Sequence, residues 1–170
     1  MSNTADQNFN KRQDQPSQIS QPFKVLCVCL GNICRSPMAE FIMRDMLAQQ
    51  GLATRINVDS AGTSGWHDGE DMHAGTAKIL DNLSINHTGF HSSKVKASDF
   101  EYFDYLIAMD RDNLHQLEKL FGHHPDKMFV ITDLVPELGY QGVPDPYFTH
   151  DFEETQNLLQ AACQVLLQRF

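Results

Sequence analysis

The stretch KVLCVCLGNICRSPMAE, residues 24–40, runs from an apolar segment through a short loop into a helical pattern. Residues 25–30 are a continuous apolar run rich in β-forming residues, which is typical of a strand buried on both faces of a parallel sheet. Ser36 followed by Pro37 is a helix-start signal, with Ser36 at the N-cap and Pro37 at the first helical position. The stretch therefore predicts a strand, a loop and a helix in direct succession.

Segments of the same two kinds alternate along the rest of the chain. They are predicted strands at 56–60, 105–110 and 127–134, and predicted helices near 72–83, 110–121 and 151–170. Strands that alternate with helices indicate an α/β fold, here a four-stranded parallel sheet with helices on both faces. We expect a single domain over residues 23–170. Residues 1–22 are rich in Gln, Asn, Ser and Asp, so they are predicted to be a disordered tail.

The overall composition argues against several classes of protein. The formal net charge is −9, whereas nucleic-acid-binding surfaces need basic patches, so we expect no nucleic-acid partner. No apolar stretch approaches the ~18 residues of a membrane span, and the N-terminal segment lacks the apolar centre of a secretory signal. The four cysteines do not resemble a disulfide framework. A reducing, cytoplasmic location is therefore expected.

The loop between the first strand and the first helix has the features of a phosphate-binding loop. Gly31 permits a tight turn, Asn32 tolerates left-handed dihedral angles, and the helix that follows offers free N–H groups to an anion. Arg35 adds a planar fork that can hold two phosphate oxygens. Cys29 lies at the mouth of this positive potential, which favours its thiolate, a nucleophile for phosphoryl transfer. The loop from Cys29 to Arg35 is long enough to encircle a tetrahedral anion.

A nucleotide site, a metal site and simple core packing fit these residues less well. A nucleotide-binding loop would need a second glycine followed by Lys-Ser or Lys-Thr, which this loop lacks. The cysteine spacings do not match zinc sites and the eight histidines are scattered, so no metal or other cofactor is expected. Cys27 is interpreted as a core residue of the strand. Burial alone would also explain an isolated Cys29, but not the arginine and the strand-loop-helix context around it.

The segment VCLGNICRSPMAE, residues 28–40, resembles the N-terminal signature of the low-molecular-weight protein tyrosine phosphatases. Segments 58–67, 103–114 and 145–148 resemble later blocks of that family in the same order, so the resemblance covers about residues 24–170. It implies hydrolysis of phosphotyrosine through a cysteinyl-phosphate, with Cys29 as nucleophile and Arg35 as phosphate clamp. It also implies that Asp145, between two prolines, is the general acid and base.

The resemblance also implies roles for residues around this catalytic set. The loop residues that would bind phosphate are Leu30, Gly31, Asn32, Ile33, Cys34 and Ser36. Trp66 and Tyr147 would form the aromatic walls of a slot for a phenyl ring. Ser36 would donate a hydrogen bond to the thiolate, and Ser60 and His91 would brace the loop through Asn32. Cys34 would form a reversible disulfide with Cys29 and so protect it from irreversible oxidation.

Ile33 is the strongest sequence indication of the substrate. By the resemblance, isoleucine at this position accompanies phosphotyrosine, whereas phosphoarginine phosphatases of the same fold tend to carry threonine. The expected partner is a phosphotyrosine-containing protein, for which an autophosphorylating tyrosine kinase is one candidate, and a monomer is favoured. Three alternatives stay open: a phosphoarginine phosphatase, a thiol-dependent arsenate reductase, and an inactive phosphotyrosine-binding module.

Overall fold

The computed structural model describes residues 20–170, so nearly all of the predicted disordered tail lies outside the described residues. Four strands form one sheet in the order β2-β1-β3-β4, and every neighbouring pair is parallel. The strands are β1 Phe23–Cys29, β2 Ile56–Gly62, β3 Tyr105–Ala108 and β4 Met128–Val130. The predicted four-stranded parallel sheet is confirmed.

Six α-helices lie between and after the strands in the described range. They are α1 Arg35–Gln49, α2 Ala74–Asn82, α3 Asp99–Tyr102, α4 Arg111–Phe121, α5 Pro146–Thr149 and α6 Phe152–Leu167. The predicted strand at 127–134 is shorter than expected, because after Val130 the chain turns into a 3-10 helix at Ile131–Leu134. Within residues 20–170, every helix falls short of the length and hydropathy that a bilayer crossing requires.

The central strand β1 is buried on both faces, as its continuous apolar run predicts. Val25 and Cys27 belong to the larger hydrophobic cluster, which contains residues of α1 and α6, whereas Leu26 and Val28 belong to a second cluster with residues of α4. Alternate side chains of a strand point to opposite faces, so β1 contributes to both layers. This arrangement explains why a run of apolar residues, rather than an alternating pattern, encodes the strand.

The strand order places a crevice at the carboxyl end of β1. The chain passes from β1 to β2 on one side and then returns to place β3 on the other side of β1. Loops that leave two such strands diverge in opposite directions, and ligands of open α/β sheets bind in the space between them. The segment after Cys29 and the segment after Ala108 therefore meet at this edge.

Helix α1 begins two residues earlier than the sequence predicts, and Ser36 is not its N-cap. The N-cap is Cys34, which makes no side-chain capping bond, and Arg35 is the first helical residue. Ser36 Oγ instead accepts a hydrogen bond from Asn32 Nδ2 at 2.9 Å and lies 3.0 Å from Cys29 Sγ. The Ser36 hydroxyl group contacts loop residues and does not cap the helix, because the loop folds back over the helix N-terminus.

Gly62, at the end of β2, lets the second strand approach that loop. A Cβ atom at this position would lie 2.7 Å from Leu30 O, 2.9 Å from Ser64 O and 3.2 Å from Asn32 N. All three are backbone atoms, which cannot move aside as the end of a flexible side chain can. The close approach of β2 to the loop therefore requires glycine.

We expect Gly62→Ala to lower the free energy of unfolding by about 1–3 kcal/mol, since the added methyl group overpacks rigid backbone. Urea denaturation monitored by circular dichroism measures the change. Gly65→Ala is the matched control, because its Cβ would meet the side chains of Asp68 and Lys94, which can shift. Equal losses in the two variants would contradict the steric explanation.

Candidate active site

A cavity of about 150 Å³ opens at the carboxyl end of β1. Its walls come from three parts of the chain: the loop after β1, the loop after β2, and the segment around α5. The lining residues are Cys29, Leu30, Gly31, Ile33, Cys34, Arg35, Trp66, His67, Asp145, Tyr147 and Phe148. The fold thus brings together the predicted nucleophile, the predicted phosphate clamp, the predicted acid and both predicted aromatic walls.

Hydrogen-bond donors surround the buried thiol of Cys29. The backbone N–H of Asn32 donates to Cys29 Sγ at 3.2 Å, and Ser36 Oγ lies 3.0 Å from the same sulfur. Asn32 has a φ of 54°, in the left-handed region that Asn adopts more readily than most residues. That conformation turns its N–H toward the sulfur, so the backbone of the loop offers the sulfur a hydrogen bond.

The loop offers further backbone donors to an anion. Within the part of the chain that the structure describes, the N–H groups of Gly31, Ile33 and Cys34 have no protein acceptor. The N–H groups of Arg35 and Ser36 belong to the first turn of α1, where no intrahelical acceptor exists. These groups and the positive end of the helix dipole make the cavity floor an anion-binding surface.

Arg35 is 3% exposed and is fixed by two carboxylates and a carbonyl. Its Nη1 donates to Asp110 Oδ2 at 2.5 Å and to Val143 O at 3.1 Å, and its Nη2 donates to Asp145 Oδ2 at 3.2 Å. Burial acts to lower the pKa of Arg35, but Cys29, Asp110 and Asp145 outweigh it and raise that pKa. The Nε atom is buried without a protein acceptor in residues 20–170.

The sequence interpretation missed Asp110. This residue follows β3, the neighbour of β1 in the sheet, and its Oδ2 holds Arg35 while its Oδ1 accepts from Asn113 N at 2.7 Å. Asp110 therefore caps α4 and anchors the guanidinium with the same carboxylate. The sequence does show an Asp directly after a buried strand. That position predicts a site residue only when it is known which strands are neighbours in the sheet.

Asp145 lies between Pro144 and Pro146 at the start of α5. One carboxylate oxygen accepts from Tyr147 N at 3.1 Å and the other contacts Arg35 at 3.2 Å. The side chain is therefore held at the cavity from two directions. This geometry suits a group that transfers a proton to a single atom of a bound molecule.

The structure brings Ser60 to the loop, but it brings Ser92 and Ser93, and not His91, to Asn32. Asn32 Nδ2 donates to Ser60 Oγ at 2.9 Å, whereas His91 is exposed. Ser92 Oγ donates to Asn32 O at 2.7 Å, and Ser93 N donates to Asn32 Oδ1 at 2.9 Å. The two serines after His91 occupy the contacts, because the chain there runs alongside β2 and presents its backbone to the loop.

The four cysteines are free thiols, and all are buried. Burial, reinforced by the neighbouring Cys29 and Asp145, raises the pKa of Cys34 to about 12. Cys34 is therefore a neutral thiol near pH 7, beside the predicted nucleophile. Cys27 packs in the core as predicted. Within residues 20–170, no group of three or more His, Cys, Asp and Glu is arranged to hold a metal ion.

Aromatic side chains form the rim of the cavity. Trp66 is 76% exposed, and Tyr147 and Phe148 are also exposed. His67, which the sequence interpretation did not select, packs its ring against Gly31, where an added Cβ would lie 3.1 Å from His67 Cδ2. Its Nδ1 pairs with Glu70 Oε2 at 2.6 Å. The mouth of the cavity therefore presents exposed aromatic surface.

Known proteins share both the sequence and the fold of this chain. YfkJ of Bacillus subtilis (strain 168), a low molecular weight protein-tyrosine-phosphatase, is 44% identical over 144 residues, which cover 84% of this chain and 92% of the relative. The crystal structure of YfkJ matches with a TM-score of 0.84 at 43% identity and covers 87% of this chain and 94% of that one.

A Drosophila arginine phosphatase is also similar in structure, with a TM-score of 0.79 and 31% identity over 86% of this chain and 97% of that one. The family described as "Low molecular weight phosphotyrosine protein phosphatase" matches residues 24–170, the whole of the domain built around the cavity. The chain belongs to the low molecular weight phosphotyrosine protein phosphatase family.

Proposed function

We propose that this protein hydrolyses phosphotyrosine in other proteins through a cysteinyl-phosphate intermediate. The observation that carries the proposal is that Cys29 shares a cavity with a buried Arg35 whose Nε lacks a protein acceptor among the described residues. A phosphate oxygen would be that acceptor, and the free N–H groups of the loop would hold the other oxygens. The names of the relatives support the same reaction.

In the first chemical step, the Cys29 thiolate attacks phosphorus, and an S–P bond forms while the bond from phosphorus to the phenolic oxygen breaks. Asp145, in its protonated form, gives its proton to the departing oxygen. Arg35 and the N–H groups of the loop stabilise the charge on the phosphoryl oxygens in the transition state. The tyrosine side chain leaves as a neutral phenol.

In the second step, water replaces the sulfur. The Asp145 carboxylate takes a proton from a water molecule, and the water oxygen attacks phosphorus. The S–P bond breaks, its electron pair returns to Cys29 as the thiolate, and inorganic phosphate is released. Asp145 is then protonated again and ready for the next cycle.

Groups at the cavity itself must attract the phosphate, because the protein as a whole is negatively charged. The net charge is −9, and the carboxylates of Asp110 and Asp145 lie beside the guanidinium of Arg35 at the cavity. A dianion would be repelled at long range. The aligned N–H groups of the loop and the N-terminus of α1 supply the short-range attraction that overcomes this repulsion.

The rim supports an aromatic substrate. Trp66 and Tyr147 would sandwich the phenyl ring of phosphotyrosine, and Ile33 would contact its edge, since all three line the cavity. The substrate would be a phosphotyrosine-bearing protein, with an autophosphorylating tyrosine kinase as one candidate. We further propose that the enzyme acts in the cytoplasm as a monomer and needs no metal or cofactor.

We expect hydrolysis of p-nitrophenyl phosphate and of phosphotyrosine peptides in EDTA, with inhibition by vanadate. Cys29→Ser should lower kcat by about 10⁴-fold or more, because the nucleophile is lost. Cys27→Ala, on the same face of β1 but outside the cavity, is the matched control and should keep turnover. Arsenate-dependent consumption of thiol would support the reductase instead, and tight binding without turnover would support the binding module.

Asp145→Asn should lower kcat by about 10²–10⁴-fold for phenyl phosphate, whose leaving group needs a proton. The rate of the first step should fall much less with a dinitrophenyl phosphate, because its leaving group departs without a proton. Burst kinetics separate the two steps. A uniform loss in the first step for both substrates would refute the role of Asp145 as general acid.

Ile33→Thr should shift the ratio of kcat/KM from phosphotyrosine toward phosphoarginine by roughly tenfold. The variant loses apolar contact with a phenyl ring and gains a hydroxyl group that can bond a guanidinium. Ile33→Val keeps the apolar surface and should leave the ratio near that of the parent protein. A parent protein that already prefers phosphoarginine would favour the activity named for the Drosophila structure.

Mild peroxide should inactivate the enzyme reversibly. Peroxide oxidises the Cys29 thiolate to a sulfenic acid, and the Cys34 thiol then displaces water to form a disulfide that dithiothreitol reduces. Cys34→Ser should therefore recover little activity after the same treatment, whereas Cys163→Ala should recover as the parent does. Full recovery of Cys34→Ser would show that Cys34 does not protect the nucleophile.

A further inference from the structure

A continuous chain of hydrogen bonds connects the nucleophile with a buried carboxylate on α1. Ser60 Oγ donates to Glu40 Oε2 and accepts from Asn32 Nδ2 at 2.9 Å. Asn32 Nδ2 also donates to Ser36 Oγ at 2.9 Å, and Ser36 Oγ lies 3.0 Å from Cys29 Sγ. We call Glu40, Ser60, Asn32 and Ser36 the Glu40 relay.

The chemistry of the groups fixes the direction of the bonds that join Asn32, Ser60 and Glu40. Ser93 N donates to Asn32 Oδ1 at 2.9 Å, so the NH₂ group of Asn32 faces the two serines. That NH₂ group can only donate, so the hydroxyl hydrogen of Ser60 must go to another acceptor, which is Glu40. Ser36 likewise accepts from Asn32, and its own hydrogen has two acceptors within reach, Cys29 Sγ at 3.0 Å and Ala61 O at 3.4 Å, of which the sulfur is the nearer.

Glu40 is held in a position to accept the hydroxyl hydrogen of Ser60. It is 3% exposed, and its second carboxylate oxygen pairs with Arg44 at 2.6 Å. Arg44 also contacts Val58 O and Asp59, so the ion pair is anchored on β2. Without the carboxylate, the hydroxyl hydrogen of Ser60 would lose its acceptor, and a buried donor without an acceptor is costly.

We propose that Glu40 is a positioning residue for the nucleophile, acting through Ser60 and Asn32 to aim two donors at Cys29 Sγ. The two donors are the Asn32 N–H and the Ser36 hydroxyl group. This inference rests on the proposed function, in which Cys29 reacts as a thiolate. Its role is orientation, because Glu40 makes no contact with the cavity that holds Cys29.

Two effects of Glu40 on Cys29 have opposite signs, which makes the inference testable. If Glu40 acted only through its charge, removal of that charge would favour the thiolate, which would then form at lower pH. If Glu40 acts through the relay, its removal weakens the donors, and the thiolate forms only at higher pH. The midpoint of the pH profile of Cys29 alkylation by iodoacetamide reports where the thiolate forms and needs no phosphatase turnover.

We expect Glu40→Gln to raise the pH midpoint of Cys29 alkylation by roughly 0.3 to 1 unit, the equivalent of one weakened hydrogen bond. In a Ser60→Ala background, Glu40→Gln should have almost no further effect, because the relay is already broken. The value of kcat should fall, whereas KM should change little. A lowered or unchanged alkylation midpoint in Glu40→Gln, or full additivity with Ser60→Ala, would overturn the proposal.

Two control variants separate positioning from general destabilisation and from loss of charge. Asp59→Asn removes another carboxylate that pairs with Arg44, but the Asp59 side chain is 59% exposed and lies outside the relay, so alkylation should be unchanged. Ile42→Val destabilises the same helix by about 0.5–1.5 kcal/mol without touching the relay, and it should also leave alkylation unchanged. A shift of the alkylation midpoint in Ile42→Val equal to that of Glu40→Gln would indicate a merely structural role.

The pH dependence supplies an independent readout. Burial raises the pKa of Glu40 to about 7, against the lowering effects of Arg44 and Ser60. The ratio of parent to Glu40→Gln kcat values should therefore be larger at about pH 8 than at about pH 5.5, where neutral Glu40 resembles glutamine. A kcat ratio that does not rise with pH would count against the relay. Other charged or titratable groups that line the cleft beside Glu40 are Asp59, His91, Lys94, Lys96 and Asp99.

Discussion

The ion pairs of the buried Arg35 are the interaction on which the rest of the site depends. A guanidinium with 3% exposure is tolerated only because Asp110 and Asp145 neutralise it and Val143 accepts a further hydrogen bond. The same carboxylates would repel a phosphate, so the loop must contribute attraction through its backbone. The site therefore combines one fixed cation with many oriented dipoles, which act strongly only at contact distance.

The sheet order makes that ion-pair cluster possible. β1 carries the loop with Cys29 and Arg35, and its neighbour β3 leads directly into Asp110. The segment with Asp145 closes the site from the far end of the chain, held by the Arg35 contact and by the start of α5. Residues separated by more than a hundred positions thus meet at one sheet edge, because the strands that present them are adjacent and parallel.

The loop keeps its shape through contacts on the side away from the cavity. Asn32 adopts a left-handed backbone conformation, which costs free energy unless the surroundings hold it. Its amide oxygen, amide nitrogen and carbonyl are all bonded, to Ser93, Ser60 and Ser92 in turn. The proposed Glu40 relay continues this support into α1, where Glu40 lies outside the cavity lining.

The sequence by itself determined the α/β class, the parallel sheet, and the loop with Cys29 and Arg35, since apolar runs, helix-start signals and a short local spacing encode them. The resemblance also pointed to Asp145, Ser60 and the aromatic rim, and the structure places all of them at the loop or the cavity. Only the tertiary structure decided the places of Asp110, Glu40 and His67. It also decided that Ser92 and Ser93, and not His91, contact Asn32. Their roles depend on which distant segments lie side by side, and such pairings leave no periodic signal along the chain.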